Sequence, residues 1–181
     1  MTEPLIVLMH DYLIDTLAGD PLMADVKLFV RGQLPPAVQV PDDFYPLIEV
    51  YILEEELDDE LTGGYRQPTY NGVISITARD KQARDTWRTP VSKRLTMTSY
   101  NTVIRLLANA RRILEREEHK ALGGLRAMDD DSEEEEIVTQ FLLDSPIEHG
   151  AGENERDLSY ENVGVIPFSV QAERAPANPS P

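Results

Sequence analysis

The sequence predicts an α+β domain, an antiparallel or mixed β-sheet with one long hairpin packed against two main helices. Three observations lead there. Apolar residues recur at helical spacing in two stretches, 3–18 and 99–118, while five shorter runs (26–30, 47–53, 70–79, 137–143 and 162–172) are rich in Val, Ile and aromatic residues at strand spacing. Gly63, Gly64 and Pro68 stand between the second and third of those runs, which makes them the arms of one hairpin. At 181 residues the chain has the size of one domain, taken as 1–174, with a proline-rich tail over 175–181 expected to be flexible.

In the opening stretch Leu5, Leu8, Met9, Tyr12, Leu13 and Leu17 fall on one side and Asp11 and Asp15 on the other, so it reads as an amphipathic helix ended by Gly19. Asp20-Pro21 suits a short further turn. Val26, Leu28 and Val30 alternate with Lys27 and Phe29, which reads as a short strand or the end of that turn, the strand being favoured. Residues 32–45 hold Pro35, Pro36, Pro41 and Asp42-Asp43 and read as an extended loop. The run 47–53 is a central strand, continued by the acidic residues 54–60 into the hairpin tip, and 70–79 is the returning arm. The charged loop 80–90 carries the only tryptophan, Trp87, an indole suited to filling a groove.

The second helix, over 99–118 with Thr98 or Ser99 as cap, puts Tyr100, Val103, Ile104, Leu107 and Leu114 on one side, flanked by Leu106, Ala110 and Ile113. Arg105, Asn109, Arg112 and Arg116 line the other side. At about 100° per residue, Arg111 returns to the middle of the apolar stripe, where it needs a carboxylate or an interface. Gly123-Gly124 closes this region, 144–157 is polar, and Pro167 in the last strand implies a bulge or an edge position.

Composition narrows the function. No run approaches the roughly 18 apolar residues of a membrane span, and Glu3 stands where a signal peptide would be basic, so a membrane or secreted protein is not expected. Cysteine is absent, which removes disulfides, thiolate metal sites and cysteine nucleophiles. The net charge is -16, from 33 acids and 17 bases, and without the seven acids of 129–136 it is still -9, from 26 acids against 17 bases. Four lysines against 13 arginines complete a pattern that suits high salt, where carboxylate repulsion is screened within about 3 Å at 1 M; the alternative is an acidic mesophilic protein with one acidic loop.

Catalytic motifs find no foothold. His10, His119 and His149 form no HxH or HExxH pair and read as surface or helix-end residues, and no GxSxG, GxxxxGK[ST] or GxGxxG occurs. The acidic run 129–136 lacks the glycine of an EF-hand loop and reads as a solvated hairpin tip. No catalytic residue, metal or cofactor is expected. A carboxylate-metal hydrolase, the weakest alternative, would have to use Glu49, Glu54 and Asp80.

Taken in order, the opening helix, the proline-rich loop ending in Phe44-Tyr45-Pro46 before a strand, the long hairpin, the helix after a charged loop and the closing strand 162–170 (NVGVIPFSV) resemble the tail-terminator, or tail-to-head joining, family of long-tailed viruses. The resemblance covers most of 1–172 and rests on layout. It implies a non-enzymatic virion protein, assembled in the host cytoplasm into a ring, a hexamer, that caps the tail tube and meets the neck protein. The acidic run and the long polar segment before the last strand depart from the pattern and leave a neck or head-completion protein of the same virion as the alternative. The partners implied are identical subunits, tail tube and neck proteins, with DNA passing through unbound and no membrane. Candidate subunit contacts are Arg105, Arg111, Arg112, Arg116 and Trp87, the arginines meeting a neighbour's carboxylates in a head-to-tail contact. Candidates for an acidic, non-adhesive lumen are Glu54, Glu55, Glu56, Asp58, Asp59 and Glu60, or the run 129–136; otherwise both stretches solvate the outer surface.

Overall fold

The computed structural model describes residues 4–35, 38–58, 67–81, 98–129, 134–144, 148–154 and 159–176. Along the chain these form α1 (Leu5–Gly19), β1 (Leu28–Arg31), β2 (Leu47–Asp58), β3 (Gln67–Lys81), α2 (Thr98–Leu114), β4 (Arg126–Asp129), β5 (Glu134–Leu143), β6 (Glu148–Asn154) and β7 (Ser159–Pro176). The strands make one sheet in the order β1-β2-β3-β7-β5-β4, with β6 also on β7. Among the described residues only the β1–β2 pair is parallel, so the sheet is mixed and the fold is the predicted α+β class, with β3 and β7 at its centre.

Strand periodicity decides what the core contains. Ile48 and Val50 of β2, Tyr70, Ile74, Ile76 and Ala78 of β3, and Ile166, Phe168, Val170 and Ala172 of β7 alternate to one face and are buried. Both helices lie on that face. Leu5, Met9, Leu13 and Leu17 of α1, together with Val103, Leu106, Leu107, Ala110, Ile113 and Leu114 of α2, complete the core cluster. Each such side chain contributes about 1.5–3 kcal/mol of transfer free energy, so this layer dominates stability. The closest approach is at Gly164 of β7, where a Cβ would stand 2.5 Å from Leu107 Cδ1 and 2.7 Å from Val103 Cγ1. α1 touches β1 and β2 at one edge and β4 at the other, so the sheet curves around the helices.

Several local expectations are corrected. α2 is turned so that its buried arc centres on Leu106 and Ala110, leaving Tyr100 and Ile104 42% and 38% exposed. Arg111 therefore lies at the margin of the apolar stripe. The helix ends at Leu114, and a separate 3-10 turn covers Glu117–His119. Ser99 lies within the helix, and its hydroxyl accepts a 2.6 Å hydrogen bond from Asn162 Nδ2 of β7. His10 is buried in mid-helix, away from the surface or helix end expected of it. β6 replaces part of the stretch read as a polar segment, β4 was not anticipated, and β7 reaches Pro176, two residues into the expected tail.

Pro167 is neither at a bulge nor on an outer strand, for β7 is flanked on both sides. Its carbonyl accepts the Asp144 amide at 2.9 Å, so its nitrogen points to the same side, away from β3. On that side β5 pairs with residues 168–176 and β6 with 159–165. The missing N–H is the one that would return a bond to Asp144, so this pair keeps one of its two ladder bonds.

Candidate subunit-contact surfaces

The outer arc of α2 holds the predicted contact arginines, and their own chain engages most of them. Arg105 pairs with Asp25 at 2.7 Å and Arg116 with Asp20 at 2.8 Å, both acids lying in or beside the 3-10 turn Pro21–Met23 that follows α1. Asp20 also accepts the Leu22 amide at 2.9 Å, which, with Arg116 and Arg112 nearby, holds its carboxyl below the ordinary range. Arg111 Nε meets Glu115 Oε1 at 2.5 Å, one turn along the same helix. Arg112 is exposed, its charge acting on Asp20. Trp87 lies outside the described residues.

A second surface lies at the root of the long hairpin. A bulge between Ile52 and Glu54 shifts the register of β2 by one, leaving Leu53 63% exposed and moving Glu54 and Glu56 to the face away from the helices. Glu55 goes to the helix-side face, where Arg174 of β7 ion-pairs with it at 3.1 Å and also with Glu136 of β5. The Tyr70 hydroxyl donates to Glu136 at 3.1 Å. Burial, then the Glu136 and Glu55 charges, hold that phenol well above its ordinary range. The cluster ties four strands together. Of the lumen candidates, Glu55 is therefore committed inside the chain, Glu54 accepts from Asn71 Nδ2 at 3.3 Å on the surface, and Glu56 is exposed. Asp58 ends β2, while Asp59, Glu60 and residues 130–133 of the acidic run lie outside the described residues.

The third surface was not anticipated. In the connection from β1 to the parallel β2, residues 33–35 and 38–42 together with Tyr45 lie over the sheet face opposite the helices as a strap, with a 3-10 turn at Asp42–Phe44. Arg79 of β3 pins it, ion-pairing with Asp42 at 3.0 Å and with Glu161 of β7, and standing 4.6 Å from the centre of the Tyr45 ring. Burial opposes the charge on Arg79, yet hydrogen bonds to Glu161 and Asp42 outweigh it and raise the guanidinium above its usual value. At the other end the Leu34 amide donates to Glu49 Oε1 at 2.7 Å. Between strap and sheet is an open cavity of about 1000 Å³, walled by Leu34, Val38 and Tyr45 and floored by Leu47, Glu49, Thr77, Arg79 and Val163. Tyr51 lies on the same sheet face, its hydroxyl pushed up by burial and then by the Glu49 charge.

Glu49 and Glu54, named for a hydrolytic metal site, share that face, but among the described residues no three His, Cys, Asp or Glu side chains converge to hold a metal. A charge on a strand face, at Glu49 or Arg79, looks in sequence like an ordinary wet position. The usable signal was a proline-rich segment long enough to cross a sheet beside opposite charges on two adjacent strands.

No family model and no curated protein matches the chain. Among solved structures it is similar to a chain of the "Virion of native gene transfer agent (GTA) particle", at 11% identity, over 93% of this chain and 99% of that one, with a TM-score of 0.44.

Proposed function

We propose that the chain is a virion structural subunit that closes into a ring at the head-tail junction of a tailed virus, capping the tail tube and joining it to the neck. The observation that carries this reading is the β2–β3 hairpin. Its arms stay paired out to Asp58 and Gln67, beyond the last β3–β7 pair at Thr69 and Gln171, and it carries Glu54 and Glu56 on one face. An arm of that kind suits the lining of an opening through which a polyanion passes without sticking, because each phosphate neutralised by Lys or Arg would add affinity and acids add none. The overall charge of -16 acts in the same direction. The contacts that close the ring are head-to-tail and join two different surfaces of one molecule.

Native mass spectrometry of the purified chain at micromolar concentration tests the reading. A closed hexamer is expected, with no retardation of duplex DNA at moderate salt. A stable monomer overturns the ring, DNA retardation overturns the non-adhesive lumen, and a different closed stoichiometry moves the subunit to the adjoining neck.

A further inference from the structure

We propose that the cavity beneath the strap is a binding site for a single guanidinium group carried on an apolar stem, seated on Glu49 and Thr77. The site is complete within one chain, so the inference stands apart from the ring reading and is tested without it.

Strand register orders the floor of the cavity. Leu47 of β2, Thr77 of β3 and Val163 of β7 are cross-strand partners and form one row on the face opposite the helices. Glu49 stands in the next row on one side, and Arg79 with its cross-strand partner Glu161 in the next row on the other. Adjacent rows on one face are two residues, or about 7 Å, apart. Arg79 is engaged by Asp42 and Glu161 and stands two rows from Glu49, about 14 Å along the strands, which exceeds the screening length of about 8 Å at physiological salt. Glu49 is therefore an anionic pole of its own, in a lining where Asp42, Glu49 and Glu161 outnumber the lone Arg79.

Two groups at that pole are incompletely satisfied. Glu49 is half-buried and its Oε1 accepts the Leu34 amide at 2.7 Å, but its other oxygen meets no donor and no cation among the described residues. Thr77 is 7% exposed and lines the cavity, yet its hydroxyl makes no hydrogen bond to a described residue. Polar groups held largely out of water favour whatever completes their hydrogen bonding. A guanidinium serves both, because one edge of its planar fork meets the carboxylate while a further N–H donates to the hydroxyl in the adjoining row. An ammonium is a compact, strongly hydrated point charge and does not span the two rows. Leu34, Val38, Leu47 and Val163 give apolar surface along which the stem lies. A volume of about 1000 Å³ admits the group either as a free small cation or as an arginine side chain presented by another protein.

Calorimetric titration and amide chemical-shift mapping of the full-length chain, in about 0.15 M salt, test the site with two probes, n-propylguanidinium and N-acetyl-arginine N-methylamide. Saturable binding is expected, with shifts concentrated at Leu34, Glu49 and Thr77. n-Butylammonium, of equal charge, should bind several-fold more weakly, and the capped citrulline, uncharged, not at all. Capped arginine binding at least as tightly as n-propylguanidinium assigns the source as a protein side chain, and the reverse order assigns a free small cation. Glu49→Gln, which keeps an acceptor for the Leu34 amide, should weaken binding about tenfold, and Thr77→Val, which keeps the branched shape, about threefold, with Glu56→Gln unchanged. Melting by circular dichroism shows that each variant folds, and Thr77→Val carries the test if Glu49→Gln does not. No saturable binding of either probe, equal affinity for n-butylammonium, shifts spread over the acidic surface, or unchanged affinity in the folded variants would overturn the assignment. The oligomeric state, read separately by native mass spectrometry, bears only on the ring.

Discussion

Gly164 offers the sharpest test of how the helix layer sits on the sheet. An alanine Cβ there would come within 2.5 Å of Leu107 Cδ1, 2.7 Å of Val103 Cγ1 and 3.1 Å of Leu107 Cγ. The end of Leu107 can rotate aside, but Val103 is β-branched and held to one rotamer in a helix, so α2 itself must move. Overpacking of this kind costs about 1–3 kcal/mol, and the smaller unfolded-state entropy of alanine returns about 0.4–1. A net loss of about 1–2 kcal/mol is expected for Gly164→Ala, which lowers the melting midpoint of a domain this size by about 2–8 °C. Urea unfolding and thermal circular dichroism of the variant measure it. Val103→Ala is destabilising alone, but in the Gly164→Ala background it relieves the clash, so the double-mutant cycle should show a favourable coupling of about 1 kcal/mol. A neutral or stabilising Gly164→Ala, or strict additivity, would refute the close approach.

Three further outcomes are expected. Arg79→Met removes the cation that Asp42 and Glu161 share; since both acids are about a third exposed, the loss should be about 1–3 kcal/mol in urea unfolding, below the 3–5 of a fully buried pair, with faster proteolysis of the strap. His10 is held below its ordinary value by burial and then by Arg31, and its Nε2 is buried without a partner. Below about pH 6.5 the unfolded chain therefore binds the proton that the folded chain refuses, and stability present at neutral pH is lost as pH falls through that value. His10→Leu should flatten the stability profile between about pH 7 and 5, and an unchanged profile would assign the acid sensitivity elsewhere. With a charge of -16, the melting midpoint should rise between about 0.1 and 2 M potassium chloride; a flat or falling midpoint removes the high-salt reading.

Elements whose local pattern and tertiary role agree were readable in the sequence. α1 and the arms of the long hairpin carry the period of their own structure. β6 was hidden because its residues, EHGAGEN, have no strand preference; β7 supplies its partner groups, and pairing of the backbone overrides composition. The rotation of α2 was hidden for another reason. Tyr100 and Ile104 are apolar and helically spaced, but only the tight seat at Gly164 decides which part of a wide stripe faces the sheet. The strap cavity draws on β2, β3, β7 and a loop, and charged residues on strand faces do not reveal from sequence that they converge.

The proline in the middle of β7 has a consequence for how the molecule breathes. Where β5 ends and β6 begins, the hydrogen-bonded rail along that edge of β7 is interrupted at Pro167, which has no amide hydrogen to contribute. Fraying of β6 is thereby uncoupled from β5, whose Val138 and Phe141 belong to the core. Amide hydrogens of 148–154 can then exchange with solvent through a small local opening, while those of 138–143 wait for the core to open. Hydrogen exchange is accordingly expected to place the two stretches of one strand edge in different cooperative units, with 148–154 exchanging before 138–143.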